Sequence, residues 1–285
     1  MTKRILRILG VALAYYLAAR LGLRLSLVGH NVTPIWPPTG IAVAAFLIFG
    51  YRVWPGVALA AFVVNAPITP SLGSTLLITA GNTAAPLASI FIMRRFGGAA
   101  NLRRAKEVLV FVFGGALLAM TISAGVGSSA LRLAGVISEA QHLSTFLVWW
   151  TGDSMGVLVF APALLLLRES HWPKGAKTWR AVEGLLLCLL FVLTTDAVLS
   201  STGHYLFLIF PLIIWAAVRF QRTGAVVAVA FVSLMAARAA AMLVGPFEGL
   251  VLSRLMLTLN ALNGSLALTG YLLAAVTIER LQAQE

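Results

Sequence analysis

The stretch HNVTPIWPPTGIAVAAF, residues 30–46, stands between two apolar runs and sets Pro34, Pro37 and Pro38 around Trp36. Proline has no N–H and a fixed φ, so three within five residues cannot be the interior of a regular helix. Backbone breaks are costly in lipid, where no water meets a freed N–H or C=O. A break here must be buried in protein or line a wet cavity. The spacing predicts that it lies at the outer end of a short second segment. Pro38 would then fall in the first turn of a helix starting near Thr39, where an N–H has no helical partner anyway.

The surrounding composition makes lipid the solvent. Of 285 residues, 60% are hydrophobic and 11% charged, against about 25% charged in soluble domains. The mean hydropathy is +0.95. Such a chain cannot cover itself with polar surface, and the expected fold is an all-α polytopic membrane protein. It reads as a bundle of eight to ten transmembrane helices, with short or broken segments near the Pro-rich motif. A span needs about 20 apolar residues, and the apolar runs fall at 5–28, 35–50, 53–67, 71–93, 106–131, 143–167, 181–200, 204–218, 222–244 and 252–279. The second, third and eighth are short.

Charge supports ten segments. The net charge is +12, from 21 Lys and Arg against nine Asp and Glu. With the N-terminus inside, all but Arg20, Arg24, Arg132, Arg238 and Arg254 fall on the inner side. That asymmetry follows the positive-inside rule and predicts that both termini are cytoplasmic. The basic residues are not interleaved with aromatics, so no nucleic acid partner is expected. The start, MTKRILRILG, runs into a long span without a small-residue cleavage site and reads as an uncleaved first helix. Cys188, the one cysteine, allows no intrachain disulfide.

Polar residues at membrane depth face the protein interior and form a shortlist for function. Asn82, Asp153 and Asn263 each fall about eleven residues from the outer end of their segment, near the midplane at about 1.5 Å per residue. Helical spacing puts Trp149, Asp153 and Gly156 on one face, and Asn260, Asn263 and Gly264 on one face of the last helix. Such a layer either binds a cationic or hydroxyl-rich ligand or a proton, or holds the bundle together by internal hydrogen bonds. Nearer the outer side lie Arg20, Arg24, Asp196 and Arg238. They form either an anion site, for which guanidinium suits carboxylate or phosphate, or side chains reaching to lipid headgroups. Trp36 is either an interfacial anchor or a wall of that outer pocket. His30, His142 and His204 sit at outer helix ends without ligand spacing, so no metal and no cofactor is expected. No nucleophile, phosphate-loop or metalloprotease pattern occurs, and no catalytic residue is expected.

Three separated blocks resemble one family. IWPPTGIAVAAFLIFGYRVWPGVALAAFVVN (35–65), GNTAAPLAS (81–89) and FLVWWTGDSMGVLVFAPALLL (146–166) are similar to the W-P-P-[ST]-G, G-N-T and W-W-x-G-D-x-x-G blocks of bacterial membrane-associated sensor (MASE) domains, first class. The matching positions are Trp36, Pro37, Pro38, Gly40, Trp54, Pro55, Gly56, Asn65, Gly81, Asn82, Trp149, Trp150, Gly152, Asp153 and Pro162. An acidic residue expected after G-N-T is absent, with Ala85 and Pro86 following Ala84.

The resemblance implies a non-enzymatic membrane input domain of about eight helices over residues 1–278. Residues 279–285 would begin a cytoplasmic linker toward an output module absent from this chain, of the histidine kinase or cyclic-di-GMP type. The expected role is to detect a small ligand or a membrane partner and relay it through the last helix, with a homodimer as one arrangement. Two other readings stay open: a small-solute transporter using the same polar layer, and a scaffold for another membrane protein.

Overall fold

The computed structural model describes residues 2–25, 33–98, 101–169, 178–203 and 205–284. It is built of helices, with no strand among the described residues. In chain order these are α1 (Thr2–Gly22), α2 (Pro37–Phe49), α3 (Trp54–Asn65), α4 (Leu72–Arg95), α5 (Ala105–Leu133), α6 (Glu139–Arg168) and α7 (Thr178–Ser200). The helical run Phe210–Met242 and the last helix, Leu252–Gln282, follow. Seven segments are long and apolar enough to cross a bilayer, and Pro37–Phe49 is a shorter apolar helix. The chain is a polytopic membrane protein.

One of those seven is folded in two. Leu206–Met242 has 37 residues, about 55 Å as a straight rod against a hydrocarbon core of about 30 Å. At Gln221 the backbone turns to φ 50° and ψ −138°. Beyond it Gly224 abuts Ala216, where a Cβ would stand 2.3 Å from the carbonyl oxygen. Gly270 faces both Ile213 and Val229, which a straight helix would hold about 24 Å apart. Residues 210–220 (α8) and 222–242 (α9) are therefore antiparallel arms, as the separate apolar runs 204–218 and 222–244 predict. The last helix is α10.

Local chemistry sets the helix starts. Ser71 and Ser74 form a capping box on α4, and Ser138 with Gln141 form one on α6. Proline stands in the first turn of α2, α3 and the run that opens α8. One face of the bundle gathers the basic turns. The Arg7 guanidinium lies 5.4 Å over Phe49, and that of Arg94 4.6 Å over Tyr51. Arg222 donates to the Asn101 carbonyl at 2.7 Å. On the same face Glu183 of α7 accepts a two-pronged bond from Arg219 of α8, at 2.6 and 2.7 Å, and a third from Trp215.

The Pro-rich stretch is deeper than the sequence suggests. Trp36 N–H donates 2.9 Å to the carbonyl of Gly152, midway along the 30-residue α6. Residues 33–36 are buried and non-helical, so α2 starts inside the bundle rather than at its outer end. The helix begins at Pro37, with Pro38 in its first turn as the spacing predicts. The reason is the bookkeeping of backbone donors. Pro34, Pro37 and Pro38 have no N–H to satisfy, Trp36 uses Gly152, and Thr39 N–H returns to the Trp36 carbonyl at 3.3 Å.

Candidate functional site: a buried carboxylate at a broken helix

The W-P-P-T-G and W-W-T-G-D-S-M-G segments fit each other through glycine. A Cβ on Gly40 would stand 2.0 Å from the Gly156 carbonyl oxygen, and one on Gly156 2.0 Å from that of Trp36. A Cβ on Gly152 would lie 2.3 Å from the Thr33 oxygen. Backbone thus meets backbone over about one turn of α6, an approach that needs a side chain no larger than hydrogen.

This contact aims the N-terminus of α2 at Asp153. The Asp153 side chain is 0% exposed. One oxygen accepts from the Thr39 hydroxyl in the first turn of α2, and the other from the Ser123 hydroxyl of α5. A helix N-terminus carries partial positive charge from its aligned peptides, which favours a carboxylate there. The Trp149 indole stands beside the carboxylate, packed over Gly127. Tyr15 of α1 is wholly buried and within electrostatic reach of Asp153, next to the Trp36 indole. Its hydroxyl finds no hydrogen-bond partner of good geometry. Four helices thus converge on one carboxylate.

Trp36, at 9% exposure, packs on Gly22 and Gly152. Its indole is buried within the bundle. Gly81 of α4 lies against Val126 and the Ser123 backbone. The adjacent Asn82 is buried with its Oδ1 unpartnered.

Asn260 and Asn263 occupy a second polar patch. Asn263 Nδ2 donates to Leu259 O at 2.6 Å and approaches the Met155 sulfur at 3.4 Å. Met155 lies about 200° around α6 from Asp153, so Asn263 sits near the depth of Asp153 but on another side of its helix. Asn260 is buried with both amide atoms unpartnered. The four outer residues do not form one buried site. Arg20, Arg24, Asp196 and Arg238 are all exposed, and Asp196 and Arg238 do not pair. His30 and His204 lie outside the described residues; His142 meets Ser128 through Nε2 at 3.1 Å.

The helix carrying Asp153 is fastened to its neighbours through irregular turns. Wide π turns run over Val110–Leu118 of α5 and Gly156–Phe160 of α6, a feature frequent at functional sites. Trp150 Nε1 and Ser154 Oγ, both on α6, donate to the Leu117 and Ala116 carbonyls at the end of the first. Beside the second, the Tyr271 hydroxyl of α10 donates to the Leu158 carbonyl at 2.8 Å. Further along α10, Thr151 approaches the Met256 carbonyl at 3.4 Å. The last helix therefore meets α6 at three heights: Thr151–Met256, Met155–Asn263 and Leu158–Tyr271. Among the remaining motif residues, Gly56 seats α3 on the Ile8 carbonyl, Asn65 caps back to Ala61 O at 2.7 Å, and Trp54 is exposed.

The family model MASE1 matches residues 7–281. The chain belongs to the MASE1 family. The probable diguanylate cyclase DgcE of Escherichia coli (strain K12) is 28% identical over 254 residues, 85% of this chain and 22% of that protein. The MASE1 chain thus spans about a fifth of the length of the relative it matches. No solved structure matches it.

Tyr15, Thr39 and Ser123 are the members of the MASE1 core that spacing alone did not single out. Thr39 was legible only as part of W-P-P-T-G. Ser123 stands in GGALLAMTISAGVGSSA, residues 114–130, a run that small-residue packing explains.

Proposed function

We propose that this MASE1 chain is a sensory input domain of the bacterial inner membrane, with both termini cytoplasmic and its output made by a separate effector module. The observation that carries this reading is the three-level attachment of the last helix to the helix bearing Asp153. A change in what Asp153, Tyr15 and Trp36 bind would alter the seat of α2 on Gly152 and Gly156, and α6 would pass it to α10. A ligand acts by favouring one of two such packings over the other. The likeness to a probable diguanylate cyclase supports a cyclic-di-GMP enzyme as the effector, and the excess of Lys and Arg on one face supports the orientation. The ligand suited to Asp153 and Tyr15 is a small hydroxyl-bearing or cationic molecule, or a segment of a membrane partner presenting those groups.

The test is a fusion of residues 1–285 to a diguanylate cyclase module, with cyclic-di-GMP measured in cells. Asp153→Asn and Asn263→Ala are expected to shift output severalfold while membrane expression stays normal. Wild-type output from both variants would overturn the relay.

A further inference from the structure

A second site lies away from Asp153, between α7 and the α8–α9 hairpin. It is a crevice of about 290 Å³. Its floor is Leu187, Phe191 and Ala228, all buried; its rim is Cys188, Val192 and Val227, all exposed. Apart from the Cys188 thiol and Thr223, the lining is hydrocarbon, and it carries no charge. Gly184 and Gly224 widen one end, and the Phe191 and Phe231 rings meet edge to face at 6.5 Å at the other. From Gly184 to Val192 the crevice runs eight residues along α7, about 12 Å. The hydrocarbon half of a bilayer is about 15 Å deep, half of a core of about 30 Å.

The ends of the crevice differ in charge. The wide end adjoins Glu183 and Arg219, with Trp179 5.1 Å beneath the Arg219 guanidinium and Arg180 within electrostatic reach of Glu183. Glu183 engages Nε and Nη2 of Arg219, so Nη1 takes no part in that fork. One carboxylate faces two guanidinium groups, leaving net positive charge at the mouth. Tryptophan and arginine at that level mark the headgroup boundary.

We propose that the crevice holds one acyl chain of an anionic phospholipid, its phosphate at Arg180 and Arg219. The chain follows the apolar slot as far as the Phe191–Phe231 pair. Because α8 and α9 also flank Gly270 through Ile213 and Val229, an occupied slot braces the hairpin against the last helix. This inference is independent of any role for Asp153.

The experiment places the full chain in phosphatidylcholine nanodiscs with a trace of phosphatidylglycerol carrying a mid-chain diazirine, and maps cross-links by peptide. Cross-links concentrated in 184–192 and 223–231 are expected, falling at least threefold with excess unlabelled phosphatidylglycerol but not with phosphatidylcholine. Ala228→Phe fills the floor, and Cys188→Trp narrows the rim from its exposed side. Each should cut labelling at least threefold, and Arg180→Gln should abolish the headgroup preference while the chain stays folded by size exclusion. Cross-links spread evenly over the lipid-facing helices would overturn the proposal. So would equal competition by phosphatidylcholine, or equal labelling by a free fatty-acid probe.

Discussion

The Tyr271 hydroxyl donates to the Leu158 carbonyl, four residues before Pro162. In a regular turn that carbonyl would accept from residue 162, and proline has no N–H to offer. The last helix thus brings a donor to this carbonyl beside a position where α6 has no N–H to offer. Tyr271→Phe removes this donor from a buried carbonyl and is expected to cost about 1–3 kcal/mol. Pro162→Ala restores an amide donor, so Tyr271→Phe should cost markedly less in that background. Thermal unfolding in detergent across the four variants measures the coupling, and additive losses would show that the two residues act separately.

Asp153 has two hydroxyl donors on two other helices. Thr39→Val keeps the side-chain shape and removes one donor, and Ser123→Ala removes the other. Each is expected to lower stability by about 1–3 kcal/mol. Asp153→Ala should cost at least as much as either, because it leaves the Thr39 hydroxyl without its acceptor and the Ser123 hydroxyl with only the Met120 carbonyl, 3.2 Å away. Chemical denaturation monitored by tryptophan fluorescence, with Trp36 and Trp149 at the site, provides the readout.

The glycine seam makes a sharper claim. Gly40→Ala or Gly156→Ala puts a methyl within 2.0 Å of a carbonyl oxygen, so α2 must leave its seat. Overpacking of this kind costs about 1–3 kcal/mol or more, and both variants should show reduced folded yield. Gly264→Ala, with open space around the new methyl, should stay within about 0.5 kcal/mol of wild type. Folded yield by fluorescence-detected size exclusion separates the two classes.

Gln221 holds a positive φ that L-residues rarely adopt. Glycine takes that conformation without steric cost. Gln221→Gly is expected to leave stability unchanged or raise it by up to about 1 kcal/mol, whereas Gln221→Val should lower it. A melting series of the three proteins checks the order.

Sequence reading reached the helices more fully than the site, for a physical reason. Apolar runs and basic turns report on water and lipid, which each residue meets on its own. They marked ten runs, including the two on either side of Gln221. Asp153, Asn82 and Asn263 were recognisable as buried because carboxylates and amides are rare at such depth. Which of them meet is a matter of helix rotation and close approach. Asn263 faces Met155 rather than Asp153, and the carboxylate takes Thr39 and Ser123, residue types common in any helix of this kind. The depth of the Pro-rich stretch was illegible for a related reason. Periodicity gives a segment its length but not the level at which it starts, and here that level is set by a backbone bond between Trp36 and Gly152.

The reversal at Gln221 also decides the parity of the chain. The last helix runs alongside α6 in the same direction, from Met256 at Thr151 to Tyr271 at Leu158, and packs beside the opening of α5. Were residues 206–242 one uninterrupted rod, every element after it would run the other way. Anything joined beyond residue 282 would then emerge on the opposite side of the bilayer. One backbone torsion, in a residue that touches neither polar patch, thus fixes which face of the bundle the last helix ends on.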